Sequence, residues 1–458
     1  MRCPLHEASL RFGDAPALIQ LTQDRPRVFG FQDWDRAAQA LRPQVRGHGV
    51  LAIEQPNTPF GAALLFAALR EHRPVVILSH RIPDTEVTAI CQRMQVTQRR
   101  SATGMSWPTA PPSAQHTTVC DGVATILMTS GSSGRPKAVT HTVAAHMANA
   151  SGSAQNIPFG VGDTWLQSLS IHHIGGLALL FRSLHGGGAI AFPHENDRIT
   201  QSCRRIAITH LSVVATQLAE LLRGEPLATL NAVLVGGGPI PPALVERAVQ
   251  AGMPIHTTYG MTEMGSQVTT TPPHATAGQL RTAGRVLAGR EVHIAQDGEI
   301  LVRGDTLMCG YRTDDGALNV GLDDAGWFHT GDVGVIENGW LRVTGRKDHM
   351  FISGGENIHP EEIERAMMNI AGVHAAVVVS VPDAKWGARP VAFARTTHTE
   401  DDLLMALRDH LAHFQVPDRV HPWPDDAPGW VGKPPRQWFS QRAAALHKTT
   451  TPPSPTSP

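Results

Sequence analysis

Lysine is almost missing from this chain. Five lysines, Lys137, Lys347, Lys385, Lys433 and Lys448, stand among 39 cationic residues in a sequence of 458. Arginine carries the rest. A lysine that survives in such a background marks a position that needs a compact ammonium, although Lys448 in the tail shows that survival alone assigns no role. Net charge is also missing: the formal value is −1. No global charge directs the chain to nucleic acid or to a membrane surface. Cysteines are few and scattered (Cys3, Cys91, Cys120, Cys203 and Cys309), and no C-x-x-C pair occurs. An odd, dispersed set excludes a disulfide framework and a zinc ribbon. No apolar run approaches the ~18 residues of a membrane span. The start, MRCPLHEASLRFGDAP, lacks the apolar core of a secretion signal. A cytoplasmic protein with no membrane span and no nucleic-acid partner is expected. Internal repeats are absent.

What is present reads as two domains and a tail. From about residue 48 to 260, apolar runs such as Val75–Leu78, Ala124–Met128, Leu211–Val214 and Ala232–Val235 alternate with helical segments such as 58–70 and 242–250. That alternation predicts an α/β fold with mostly parallel sheets flanked by helices. From about 280 to 346, short strands separated by Asp-Gly and Asn-Gly turns predict an antiparallel β-rich part. From about 348 to 447, a helix near 360–367, strands at 375–381 and 390–394, and a helix near 401–413 predict a small α+β domain. The expected boundaries are 1–347 for a large N-terminal domain, 348–447 for a small mobile C-terminal domain, and 448–458 for a disordered Pro/Ser/Thr tail.

Several segments concentrate chemistry. Thr129-Ser130-Gly131-Ser132-Ser133-Gly134-Arg135-Pro136-Lys137 follows an apolar run. Glycines let backbone N–H groups converge on an anion, hydroxyls add donors, and lysine adds charge. It is not the common P-loop, whose spacing differs. Gly236-Gly237-Gly238-Pro239 allows close backbone approach to a flat ligand such as adenine, or is a strand-to-helix turn. Tyr259-Gly260-Met261-Thr262-Glu263 follows a strand, where ligands bind in open α/β sheets. Tyr259 offers a stacking face there, and Glu263 offers a carboxylate to Mg²⁺. In Gly331-Asp332, Asp332 can accept hydrogen bonds from two ribose hydroxyls. Gly345-Arg346-Lys347-Asp348 sits at the expected domain boundary. Lys433 lies on a glycine-bounded loop from which a lysine can reach an anionic transition state.

In this order, TSGSSGRPK, YGMTE, GWFHTGD, GRKDHMFISGGENIHPEEIE and a late GK resemble the adenylate-forming superfamily, which includes acyl-CoA synthetases, nonribosomal-peptide adenylation domains and luciferases. The resemblance spans roughly residues 48 to 436. It implies an enzyme using ATP, Mg²⁺ and a carboxylic acid, with CoA as co-substrate. Thr129, Ser130, Gly131, Ser132, Ser133, Gly134 and Lys137 would cradle the β- and γ-phosphates. Gly237, Gly238, Tyr259 and Gly260 would lie along the nucleotide. Thr262 would touch the α-phosphate and Glu263 the metal. Asp332 and Arg346 would hold the ribose, and Asp348 matches the hinge. Lys433 would bridge carboxylate and α-phosphate during adenylation. Ser353, Gly354 and Gly355 would approach the pantetheine arm.

Ser170-Ile171-His172-His173-Ile174-Gly175-Gly176-Leu177, Ile208 to Leu218, Gly236 to Pro239 and Tyr259 to Gln267 look like the o-succinylbenzoate–CoA ligases of menaquinone synthesis. That acid has two carboxylates. One is activated, and the other needs a cation, for which Arg182 is the candidate, with His173 and Ser266 as further substrate contacts. A solvent-facing Arg182 and a packed or capping His173 are the plainer alternatives. Another aryl- or acyl-CoA ligase, or a carrier-loading adenylation protein, would share the general motifs. A homodimer is an open option. Three positions depart from the usual pattern: Ala138 after Lys137, Gly265 after Met264, and Pro434-Pro435 after Lys433.

Overall fold

The computed structural model describes all residues except 55–56, 80–81, 103–106, 109–117, 130–135, 196, 226, 429–434 and 451–458; for 448–450 it describes the backbone alone. Two large sheets carry the first two thirds of the chain. In the seven-stranded sheet, Val96–Ser101, Val50–Glu54, Val75–Leu78 and Thr125–Thr129 run parallel. Lys137–His141 then turns back antiparallel and takes Gly310–Arg312 as its own antiparallel neighbour. In the nine-stranded sheet, Ala189–Phe192, Thr164–Leu166, His210–Val213, Ala232–Val235 and Ile255–Met261 are parallel. Ser266–Thr270 lies antiparallel to Ile255–Met261, and Arg285–Val286 closes that side. The other side is closed by Pro16–Gln20 and Arg27–Gly30, in a part of the chain whose pattern predicted nothing.

Burial explains the strand sequences. Val75–Leu78, Ala189–Phe192 and Ala232–Val235 are buried at every position, so both faces are apolar, as expected of covered parallel strands. The helix Pro59–Arg70 is buried along its full length and is apolar all round. Its start is set by Thr58, whose hydroxyl accepts from Gly61 N at 3.2 Å, and by Pro59 in the first turn. One core joins this helix to Ile174–Gly186 and to residues of both sheets, among them Leu51, Val75, Leu127, Leu18 and Ile190.

The β-rich part is a four-stranded antiparallel sheet of Arg290–Ile294, Glu299–Gly304, Phe328–Glu337 and Trp340–Arg346. Its Asn338-Gly339 turn has φ of +52° and +81°. Two positive values make the mirror-image turn that suits a hairpin. Beyond residue 348, Val373–Asp383, Gly387–Thr396 and Arg419–Pro422 form a three-stranded sheet. Pro360–Met368 and Glu400–Arg408 share one core on it. A second core gathers Val377, Val379 and Phe393 with Phe439 and Ala443 of the helix Arg436–Thr450. Two elements differ from expectation. The helix expected near 401–413 ends at Arg408. The helix Arg436–Thr450 had no counterpart in the sequence reading and runs three residues into the expected disordered tail. The four-residue spacing of Phe439 and Ala443 provides its buried face.

Candidate active site

Gly237, Gly238, Tyr259, Gly260, Thr262 and Glu263 emerge where parallel strands of the nine-stranded sheet end. After Ala232–Val235 the chain passes through Gly236-Gly237-Gly238 to a helix, Pro242–Gln250. A Cβ on Gly236 would stand 2.6 Å from Thr258 Cγ2, so glycine lets this loop press against the strand that carries Tyr259. Gly237 has φ of +82°. The segment is therefore a strand-to-helix turn and also a close backbone approach. A bulge interrupts pairing at Tyr259/Gly260. There a Cβ on Gly260 would meet Ser266 O at 2.2 Å.

Tyr259, Asp332, Arg346 and Asp348 form one connected group. Asp332 and Arg346 face each other across neighbouring strands. Tyr259 donates to Asp332 Oδ2 at 2.7 Å, and Arg346 Nη1 donates to Asp332 Oδ1 at 2.9 Å. Arg346 also grips Asp348 through Nε and Nη2, at 2.8 and 3.1 Å. Burial and the Asp332 carboxylate push the Tyr259 phenol far up, so it remains a donor. Burial raises the Asp348 carboxyl, but the Arg346 pairing outweighs it and holds the group below its ordinary range. The result is an Asp332 carboxyl group fixed between a phenol and a guanidinium.

Thr262 and Glu263 follow in a single tight turn, Thr262–Met264, that closes on Gly265 at φ +64°. Only glycine enters that left-handed conformation without cost, which accounts for the departure at Gly265. Tyr311 donates to Glu263 Oε1 at 2.7 Å. The Lys137 ammonium lies over the Tyr311 ring, 4.9 Å from its centroid. Thr129 and Lys137 face each other across the hairpin, and the Thr129 hydroxyl donates to Lys137 O at 3.5 Å. Ser130, Gly131, Ser132, Ser133 and Gly134 lie outside the described residues, as does Lys433. Ala138, the second departure, is a fully buried strand position.

Arg182 is buried, which excludes the solvent-facing alternative. It sits on Ile174–Gly186, the helix in the shared core. Nη2 donates to Gln267 Oε1 at 2.7 Å, and the guanidinium lies 5.1 Å from the Trp165 ring centroid. Nε and Nη1 bond to no described residue, and no carboxylate pairs with Arg182 among them. Burial, with Arg290 nearby, lowers the Arg182 pKa to about 9. A guanidinium keeps its proton at neutral pH, so the cost of burying this cation stands until an anion arrives. Arg290 differs: its donors end on the carbonyls of Gln267, Ala288 and Asn149. Ser266, beside Gln267, has φ of +128°. That is a strained value for a non-glycine residue.

Other expected residues are placed by local contacts. His173 precedes Ile174–Gly186, and its carbonyl takes Gly176 N and Leu177 N, each at 3.0 Å. Its ring caps nothing and lies 4.3 Å from that of His172. Ser353-Gly354-Gly355 closes a small hairpin, with φ of +60° and +92° at the glycines, and Gly354 packs on Trp386. Among described contacts, none joins His173 or this turn to Tyr259, Glu263 or Arg182. Sequence reasoning missed Tyr311, Gln267 and Trp165. Gln267 lay inside a quoted motif without a role; Tyr311 and Trp165 lay in no motif.

With this geometry in hand, similarity to known proteins is informative. The AMP-binding enzyme family matches residues 95–312, and the AMP-binding enzyme C-terminal domain matches 362–428. The 2-succinylbenzoate–CoA ligase of Listeria monocytogenes serotype 4b is 36% identical over 333 residues, covering 70% of this chain and 71% of that protein. A solved arginine-to-lysine variant of the Escherichia coli enzyme with bound OSB-AMS superposes with a TM-score of 0.81 at 30% identity, covering 97% and 98% of the two chains. The o-succinylbenzoate CoA synthetase of Bacillus subtilis, solved with ATP and magnesium ion, gives a TM-score of 0.83 at 26% identity, covering 95% and 99%.

Proposed function

The chain belongs to the 2-succinylbenzoate–CoA ligase family of AMP-binding enzymes, and from that premise we propose that it joins o-succinylbenzoate to CoA through an acyl-adenylate. The observation that carries the choice of acid is Arg182: a buried cation with two spare donors, no carboxylate partner among the described residues, and a hydrogen bond to Gln267, the residue after the strained Ser266. A second carboxylate on the substrate supplies the missing anion, and Arg–carboxylate pairing is directional and strong.

The reaction has two halves. One substrate carboxylate attacks the α-phosphorus of ATP, the α–β phosphoanhydride breaks, and pyrophosphate leaves. The CoA thiol then gives up its proton and attacks the acyl carbon, and AMP leaves. Asp332, fixed by Tyr259 and Arg346, accepts the ribose hydroxyls. Gly237 and Gly238 let the backbone approach the adenine. Thr129 and Lys137, with 130–134, hold the departing phosphates, and Thr262 meets the α-phosphate. Glu263 fits a cation that takes most of its ligands from phosphate and water; among the described residues no group of three His, Cys, Asp or Glu could hold a metal alone. Bound Mg²⁺ would neutralise phosphate charge. Lys433 acts by electrostatic stabilisation of the adenylating transition state. Ser353, Gly354 and Gly355 border the thiol's approach after the C-terminal domain turns about Asp348. The division at 347/348 is part of the same proposal.

Mixing the protein with ATP, Mg²⁺ and o-succinylbenzoate tests this. The expected products are pyrophosphate and o-succinylbenzoyl-AMP, with the thioester and AMP appearing only after CoA is added. An acyl-adenylate that CoA does not discharge would refute the ligase and favour a carrier-loading protein.

A further inference from the structure

The chain has two tyrosines against thirteen phenylalanines. Both tyrosines are at this site, and each donates to a carboxylate at 2.7 Å, Tyr259 to Asp332 and Tyr311 to Glu263. A background that favours phenylalanine so strongly makes each phenol conspicuous. The Tyr259 pair serves the nucleotide site proposed above. Tyr311 has no assigned role.

Its placement follows from strand pairing. Tyr311 lies opposite Val139 on the antiparallel neighbour of Lys137–His141. Lys137 is two residues from Val139 and on the same face, so it is the diagonal neighbour of Tyr311, within reach of a ring. That produces the 4.9 Å ammonium-to-ring contact. The other end of the phenol meets Glu263, whose turn is tied to the approach of the same strand by Met308 N donating to Glu263 O at 2.8 Å. One side chain thus touches both the lysine and the carboxylate. Among the described residues no ion pair joins Lys137 to Glu263. Burial and the Glu263 carboxylate raise the Tyr311 phenol, so it stays a donor at any working pH.

Resting on the function proposed above, we propose that Tyr311 is a positioning residue for adenylation: its hydroxyl fixes Glu263 toward the metal, and its ring keeps Lys137 from closing on Glu263 as an ion pair. A carboxylate and an ammonium left in contact would satisfy each other, and each would have to be freed before MgATP could bind. The hydroxyl holds Oε1 of Glu263 through one hydrogen bond, so the carboxylate would keep acceptor capacity for a cation. The ring face holds the ammonium by cation–π attraction without neutralising it.

The test is calorimetric titration of ATP into the full chain, with and without Mg²⁺, without acid or CoA. Tyr311→Phe keeps the ring and removes the hydroxyl. It is expected to leave Mg²⁺-free ATP affinity within about twofold and to cut the gain on adding Mg²⁺ by roughly tenfold, the size of one hydrogen bond to a charged group. Tyr311→Leu removes the ring as well, and Mg²⁺-free affinity should then fall too. An intact Mg²⁺ gain in Tyr311→Phe overturns the proposal. So does an equal loss with and without Mg²⁺ accompanied by a lower Tm, which marks a structural tyrosine. Wild-type protein that binds no ATP under either condition would instead overturn the function proposed above, and this inference with it.

Discussion

At the residue scale, the proposed function makes Arg182 the residue that decides specificity, at a cost in stability from its unpaired burial. Replacing a buried, unpaired charge by an apolar side chain of similar length is often neutral or stabilising. Arg182→Met is therefore expected to melt at or above the wild-type Tm without ligand. The same variant should raise KM for o-succinylbenzoate roughly 10- to 150-fold, the worth of a hydrogen bond to a charged group, and leave KM for ATP unchanged. Steady-state kinetics and differential scanning calorimetry read both. A lower Tm with an unchanged KM would make Arg182 a packing residue. The sequence offered Arg182 as a candidate but could not place it, because a helix that is apolar along most of its length does not say which way one arginine points. Asp332 and Arg346 were legible in motifs, whereas the hydrogen bond that joins Tyr259 to Asp332 depends on a contact between residues 73 positions apart.

At the element scale, the hairpin of Thr125–Thr129 and Lys137–His141 couples the candidate phosphate loop to a buried pair of imidazoles. His141 ends the second strand, and its ring lies 5.1 Å from His146, which shares a 2.7 Å hydrogen bond with Thr125 Oγ1. Burial lowers His141 from 6.5 to about 4 and also pushes His146 well down. Between pH 4 and 6.5 the unfolded chain binds more protons at His141 than the folded one. This part of the stability is complete above pH 6.5 and is lost as pH falls toward 4. For His141 alone the loss at pH 4.5 is at most about 2.5 kcal/mol, from the linkage relation. Urea unfolding at pH 7 and 4.5 should show it, and His141→Gln should show less of it. Equal pH dependence in the two proteins would exclude His141 as its source. Strand pairs and Asn-Gly turns were readable from pattern; the N-terminal strands and the helix Arg436–Thr450 were not, because their burial depends on distant partners.

At the scale of the whole molecule, the account requires one chain to present the same acyl carbon to two reactants. Lys433→Ala should abolish most adenylation and leave thioester formation from preformed acyl-adenylate within a few fold. Gly354→Ala should do the reverse, since its φ of +60° and a Cβ contact of 2.5 Å with Trp386 leave no room for a side chain. A left-handed backbone there already favours glycine. Single-turnover assays of each half separate the two, and equal losses in both halves would refute the division of labour. The motifs made the chemistry legible at this scale because each one is a short run. The acid was harder, because the site proposed for it joins Arg182 to Gln267 and Trp165, which no short run brings together. The most direct measurement is therefore kcat/KM for CoA-thioester formation with o-succinylbenzoate, benzoate and a medium-chain fatty acid. The account predicts at least about a hundredfold preference for o-succinylbenzoate, which Arg182→Met reduces to within about tenfold, consistent with loss of one charged hydrogen-bonding group. Equal turnover of all three acids by the wild-type protein would contradict it.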